Sequence, residues 1–401
     1  MASIPANQVI SRFSAAIIGL SIYLGAYSAE VFRGGVHSLP AGQFEACRAL
    51  GLSPITAYSE TSFAWVNSHG KEHAAYGELN FHGLKAHERW SPVGTPRGWF
   101  HQIGNIRIST CDLVQAKLEA EVERQHRYGA EARLLSRREL VELEPRIQTD
   151  GVLGAAYFPQ EGWVDTFTLC SSLLHLSMAA GARFLPYHRV VELTDSGVRV
   201  VASDGSEQTF TADTIILAAG NGTRSILAAD GIDFPTLPIS TELSESGDAV
   251  EHPTVGLTCT TTPVAADTVR HLVHADDIAL RPSAGGGLTL TDHPTASQWD
   301  AADPDLWQVP QLLLDRARRI CPVLESASIE TVALGNRILP ADGVTIADWV
   351  DSDRRVYAVA THSGVTLCAH LAEVVSSEVV DDLRDPTLAV FGLDRFAAGV
   401  R

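Results

Sequence analysis

By residue type and spacing, the stretch best suited to chemistry is Thr361-His362-Ser363-Gly364. It follows an expected strand over Val356 to Ala360, with two β-branched valines, and precedes an amphipathic segment over 367–380. A strand, a glycine turn and a helix in that order aim backbone N–H groups and a positive helix end at something electron-rich. The alternative is an ordinary strand-turn-helix with a glycine cap. A second stretch, Ala212-Asp213-Thr214-Ile215-Ile216-Leu217-Ala218-Ala219-Gly220, is apolar up to its small-residue end. That suits a buried parallel strand whose C-terminal end lets a ligand approach the backbone. A third, Ile17-Ile18-Gly19-Leu20-Ser21, has the tail of a glycine-rich dinucleotide fingerprint, but Ser14 and Ala16 stand where its earlier glycines are needed. Phe32-Arg33-Gly34-Gly35-Val36-His37 also lacks the acidic residue that would hold a ribose.

The elements that must position these residues alternate along the chain. A short strand is expected at 104–108, and helices at 112–128, 135–142 and 166–180, the Glu and Arg of the first two forming solvated faces. Val190-Val191-Glu192-Leu193 and 197–201 read as a strand pair around Asp195-Ser196-Gly197. Strand-like runs at 255–259, 269–273, 278–281 and 287–290 suit a mostly antiparallel sheet, followed by a helix at 310–320. The chain of 401 residues, 45% hydrophobic and 19% charged, has the composition of a folded protein of one large or two medium domains. A net charge of -18 argues against a nucleic-acid partner. The six cysteines carry no C-x-x-C pair, which suits neither a metal site nor a disulfide framework and fits a reducing, cytoplasmic compartment.

Residues 13–29 form a 17-residue run without charge, at the lower limit of about 17 residues for crossing a bilayer. With Gly25-Ala26-Tyr27-Ser28-Ala29-Glu30 and Leu39-Pro40-Ala41-Gly42-Gln43-Phe44-Glu45-Ala46-Cys47-Arg48-Ala49-Leu50-Gly51, residues 9–53 resemble the permease subunits of polar amino-acid ABC importers. In that family a Glu-Ala-Ala…Gly loop docks on the ATPase subunit. Glu45, Ala46 and Gly51 match it, and Cys47 replaces the second alanine. The rest of the coupling loop and the other membrane helices are missing, so residues 1–54 read as a permease fragment. Membrane association through 13–29 is the alternative localisation, and docking of an ATPase subunit is not expected.

From about residue 55 the chain resembles the D-amino-acid oxidase, glycine oxidase and sarcosine oxidase superfamily, in five blocks in family order. They are Thr61-Ser62-Phe63-Ala64-Trp65-Val66-Asn67-Ser68, Gly162-Trp163-Val164-Asp165, the strand ending in Ala218-Ala219-Gly220, Leu334-Gly335-Asn336-Arg337-Ile338-Leu339-Pro340-Ala341-Asp342-Gly343, and the Thr361 turn. Ile338 replaces the usual proline of the fourth. The resemblance implies an α/β fold: an FAD-binding Rossmann-like domain, incomplete at its N-terminus and interleaved with a mostly antiparallel-sheet substrate domain. The cofactor parts would be about 55–90, 150–230 and 331–401, and the substrate parts about 91–149 and 231–330. It implies oxidation of a small amino acid or amine by hydride transfer to FAD. Cofactor contacts fall on Thr61, Ser62, Val191, Ala218, Ala219, Gly220, Ser363, Gly364, Val365 and Thr366. Arg337 and Arg281 are candidates for the substrate carboxylate and His362 for a place beside the flavin; the alternative for Arg337 is a structural pair with Asp342. The absent fingerprint implies weakened FAD binding, and the alternative is a non-catalytic chimeric remnant.

Overall fold

Alternation of side chains along short β-branched strands builds the largest element of this chain, an eight-stranded sheet. The computed structural model describes residues 62–91, 98–238, 253–300 and 303–397. Its strand order is Ile329–Asn336, Val255–Thr261, Leu288–Thr291, Ala279–Pro282, Leu272–His274, Asn105–Ser109, Gly154–Phe158, Arg133–Leu135. All the registered pairs are antiparallel except Leu272–His274 with Asn105–Ser109, which run parallel. The mostly antiparallel expectation therefore meets one parallel joint, where a strand from the first third of the chain inserts into the sheet.

One face of this sheet is apolar. Ile106, Ile108, Val273, Leu280, Leu288 and Leu290 pack there with Leu313, Leu314 and Ala317 of the helix Val309–Ile320. The register places Asn105, Arg107, His274 and Arg281 on the other face, with Thr258, Thr289 and Thr291. Over that face lies a three-stranded sheet, in which Gly162–Val164 pairs with Trp65–Val66 on one side and Phe100–His101 on the other. Gly162 is required there, because a Cβ would run into the His101 carbonyl. Phe63 and Trp163 close on Leu272 and Ala279.

The chain divides into two compact units, one containing Glu60–Thr166 and Ser240–Gly335, the other Phe167–Ile239 and Asn336–Arg401. Residues 60–90 and 150–166, expected among the cofactor parts, group with the eight-stranded sheet, because strand pairing and the Phe63–Trp163 contact tie them to it. Trp65 is half-buried. Helix Asp112–Arg127 matches its expected span, but its charges are not all solvated. Glu121 is buried, holds Arg124, and accepts from Gln125 at 2.8 Å.

The second unit contains a three-stranded sheet ordered Ile215–Leu217, Val356–Ala360, Ile346–Trp349. Ile215–Leu217 runs parallel to Val356–Ala360, and Ile346–Trp349 antiparallel to it. The expected strand pair is a three-stranded antiparallel sheet, His188–Thr194, Gly197–Ala202 and Glu207–Thr211, with a bulge that skips Val191. The long helix Gly364–Asp381 is buried along most of its length. Tyr357 Oη donates to Glu378 at 2.9 Å, and Arg384 grips the same carboxylate, tying this helix to the strand before it and the segment after it. Among the described residues no helix is long and apolar enough to cross a membrane. Residues 1–61, and with them the expected permease-like segment and Thr61, lie outside the described residues.

Candidate functional site

Two groups of polar side chains stand out, one in each unit. In the second unit, the register Leu217↔Ala358 puts the C-terminal ends of the two parallel strands side by side. Each strand ends in a tight turn. Gly220 turns with φ 59°, a conformation that costs glycine nothing, and Thr223 Oγ1 accepts the Ala219 N–H at 3.2 Å. The other strand leads through Thr361, His362 and Ser363 into the helix that starts at Gly364. Thr361 is steadied by a 2.8 Å hydroxyl pair with Thr345 and accepts the Ser363 N–H at 3.2 Å. Asn221 donates to the Asn336 carbonyl at 3.3 Å, bringing the 336–343 segment to the same turn. Buried amide oxygens of Asn221 and Asn336 meet no protein hydrogen-bond donor among the described residues.

Arg337 Nη1 lies 3.3 Å from His362 Nε2. A guanidinium only donates, so Nε2 accepts and the imidazole proton sits on Nδ1. Asp342, the alternative partner for Arg337, is instead gripped by Arg395 at 2.6 Å. The structure therefore brings together Ala218, Ala219, Gly220, Arg337, His362 and Ser363–Thr366, while Val191 sits at its bulge in the antiparallel sheet.

In the first unit, Ser62 Oγ accepts the Ala64 N–H at 2.9 Å and supports Ala64 at φ 54°, an uncommon backbone state for a residue with a Cβ. Arg281 Nε donates to the Phe63 carbonyl at 2.6 Å and Nη1 to the Pro282 carbonyl at 2.8 Å. Its guanidinium lies 4.4 Å from the Trp163 ring centroid, and His101 stacks on that indole at 4.1 Å. Burial depresses the Arg281 pKa to about 9, partly opposed by Asp165, and leaves the group charged at neutral pH.

Beside Arg281 is a buried network that local sequence pattern does not reveal. Glu161, 2% exposed, accepts from the backbone N–H of Ser68 (2.9 Å) and of His69 (3.1 Å) and from His69 Nδ1 (2.8 Å). Asn105 Nδ2 (3.1 Å) and Trp65 Nε1 (3.2 Å) complete the set. Asn105 passes the orientation on, accepting His274 Nδ1–H at 2.9 Å. Burial alone would raise the Glu161 pKa, but His69 and the backbone donors outweigh it and the carboxylate stays ionised. Burial lowers His69 despite Glu161, and lowers His274 further, with His69 and Arg107 adding to it. Both imidazoles are thus neutral and share one tautomer, with the proton on Nδ1 and the lone pair on Nε2. The one signal in the sequence is the alternation Asn105-Ile106-Arg107-Ile108 and Leu272-Val273-His274, which puts the polar residues of both strands on one face.

The family model described as FAD dependent oxidoreductase matches residues 28–378, most of the chain, and the chain belongs to that family. An opine oxidase chain of Agrobacterium tumefaciens (strain Ach5) is 26% identical over 250 residues, covering 62% of this chain and 60% of that protein. The chain thus spans less than two thirds of that relative. The crystal structure of glycine oxidase from Geobacillus kaustophilus shares the fold, with TM-score 0.67 and 20% identity over 84% of this chain and 88% of that one. A separate match of 54 residues is 43% identical to the probable amino-acid permease protein YxeN of Bacillus subtilis (strain 168), covering 14% of this chain and 24% of that protein. FAD is the cofactor of the family. The paired turns, the left-handed Gly220 and the undonated amide oxygens of Asn221 and Asn336 fit such a hydroxyl- and amide-bearing group.

Proposed function

We propose that this chain oxidises an amino acid or a secondary amine, with FAD bound where its parallel strands end. FAD, when bound, accepts the hydride from the carbon that carries the nitrogen. The observation that carries the reading is the convergence of the Ala218–Gly220 turn, the Thr361–Gly364 turn and the Arg337–His362 pair at one end of one parallel strand pair. Backbone N–H groups of Gly364, Val365 and Thr366 open a helix and favour negative charge before them. Arg337, through its bond to His362, holds that imidazole in one tautomer and adds fixed positive charge. A substrate carboxylate calls for a planar, bidentate donor, for which Arg337 and Arg281 are the two candidates. Ser62 supports the Ala64 turn, and it and Thr61 remain the candidates for a cofactor contact from this stretch.

A second reading is favoured by the match to the permease YxeN. Residues 9–53 would derive from an amino-acid ABC permease, and the glycine-rich unit that binds the ADP half of FAD would be replaced. Each charge-assisted hydrogen bond lost costs about 1.5–3 kcal/mol, so losing three weakens binding by roughly three orders of magnitude or more. The visible absorption spectrum of the purified protein, before and after adding FAD, separates the two readings. A flavin band near one equivalent supports the oxidoreductase, to be followed by screening amino acids and N-methyl amino acids for bleaching. Absence of a band at saturating FAD sinks the catalytic reading and leaves the remnant.

A further inference from the structure

Ala64 turns the chain with φ 54°, in the left-handed region that a residue with a Cβ rarely occupies. It is buried, and glycine would hold the same turn without strain. An alanine stays left-handed only while its surroundings over-determine it, and strain of this kind gathers at functional positions. The bonds on either side of the turn meet that condition. Before it, Arg281 Nε donates to the Phe63 carbonyl at 2.6 Å, and the guanidinium lies 5.4 Å from the Phe63 ring centroid and 4.4 Å from that of Trp163. After it, Glu161 gathers Trp65 Nε1, the Ser68 and His69 N–H groups and His69 Nδ1 on one carboxylate. At the turn itself, Ser62 Oγ accepts the Ala64 N–H and the Ala64 carbonyl accepts the Val164 N–H, each at 2.9 Å. Arg281 stands on one strand of the eight-stranded sheet, and Glu161 is bonded to Asn105 of another. Both anchors are thus tied to one sheet. Both are charged, so their bonds are of the stronger, charge-assisted kind.

We propose that Glu161 and Arg281 are positioning residues, a pair of clamps that hold residues 63–69 in the left-handed turn at Ala64. The polar face of the eight-stranded sheet thereby serves the small sheet that covers it, fixing the backbone on which Ser62 sits. In this role Arg281 acts through the Phe63 carbonyl, and Glu161 through Trp65, Ser68 and His69. The purpose rests on the reading of Ser62 as a cofactor contact. A clamped alanine offers that contact in one geometry, where an unheld glycine turn would offer several.

Amide hydrogen exchange, followed by mass spectrometry on the full chain, reads the turn without any cofactor. The reporters are the Ala64 and Val164 N–H groups, and the control is the helix Val309–Ile320 on the apolar face. Wild type, Glu161→Gln, Arg281→Lys, Ala64→Gly and each clamp variant combined with Ala64→Gly would be compared, and each titrated with FAD. Either clamp variant alone should speed exchange at the reporters by about tenfold or more, spare the control helix, and weaken FAD by a similar factor. Adding Ala64→Gly should bring both readings to within about threefold of Ala64→Gly alone, because glycine keeps the turn without being held. A residue that only stabilises the fold would not be rescued in this way. Arg281→Lys, which keeps the charge, decides the matter if Glu161→Gln fails to fold. Unchanged exchange at the reporters overturns the proposal, as does exchange that rises equally in the control helix or resists the glycine change. If wild type and clamp variants bind FAD alike, the turn does not serve the cofactor and the positioning role is overturned. If FAD never binds but the exchange pattern and its rescue hold, the flavin reading fails and the clamps stand.

Discussion

The two faces of the eight-stranded sheet are made by alternate residues of the same strands, and both are buried, yet they are built on opposite terms. Ile106, Val273 and Leu280 point one way and pack into one apolar cluster. Asn105 and His274 point the other way and are held by a chain of directed bonds that begins at Glu161, while Arg281 on the same face donates to the Phe63 carbonyl. Apolar burial stabilises by about 25 cal/mol per Å² without any demand on direction. Buried polar groups stabilise only when each finds its partner. The polar face therefore depends on geometry in a way the apolar face does not. The surroundings of Glu161 make the same point against a second carboxylate. Glu144 receives the backbone N–H groups of Arg270 and His271 and the His271 imidazole, in the pattern by which Glu161 receives Ser68 and His69. Only Glu161 extends through Asn105 to a further histidine.

The contrast can be broken by mutation. Leu280→Ala, on the apolar face, should cost about 2–5 kcal/mol of stability in denaturant unfolding and leave hydrogen exchange at the Ala64 turn of the folded protein unchanged. A large rise there would mean that the faces are not independent. Glu161→Gln and Glu144→Gln should each cost about 1.5–3 kcal/mol, but only the first should also speed exchange at the Ala64 turn; equal effects there would erase the distinction between the dyads. Acid should act through the polar face. His69 and His274 have folded pKa values below the ordinary 6.5, so the unfolded chain binds their protons first. Their contribution is complete above pH 6.5 and is lost as the pH falls below it through the folded values. Melting temperature measured against pH should decline less steeply in His274→Gln than in wild type. The smallest effect is expected at the exposed Arg138–Glu142 pair, where Arg138→Ala should change stability by no more than about 0.5 kcal/mol.

Much of the cofactor side was legible because its signals are local. The strand Val356–Ala360 has the expected bounds, and the helix after Ser363 begins at the glycine that marked it. Small residues after an apolar run placed the Ala218–Gly220 turn, although the strand itself is only Ile215–Leu217. The family model matches residues 28–378, a span that contains all five blocks read from the sequence. The third strand of the His188–Thr211 sheet was missed because Glu207-Gln208-Thr209-Phe210-Thr211 is polar and largely exposed, leaving no alternation to read.

What the sequence by itself determined, then, was the elements and the turns, since hydrophobic period and glycine placement act within a few residues. The contacts that distinguish a site from a scaffold were decided by tertiary structure. Glu161 lies 92 residues from His69, Asn105 lies 169 from His274, and Arg281 lies 218 from the Phe63 carbonyl. No local propensity links groups so far apart. They meet because the strand Asn105–Ser109 inserts beside Leu272–His274, and the register of that joint sets which side chains share a face.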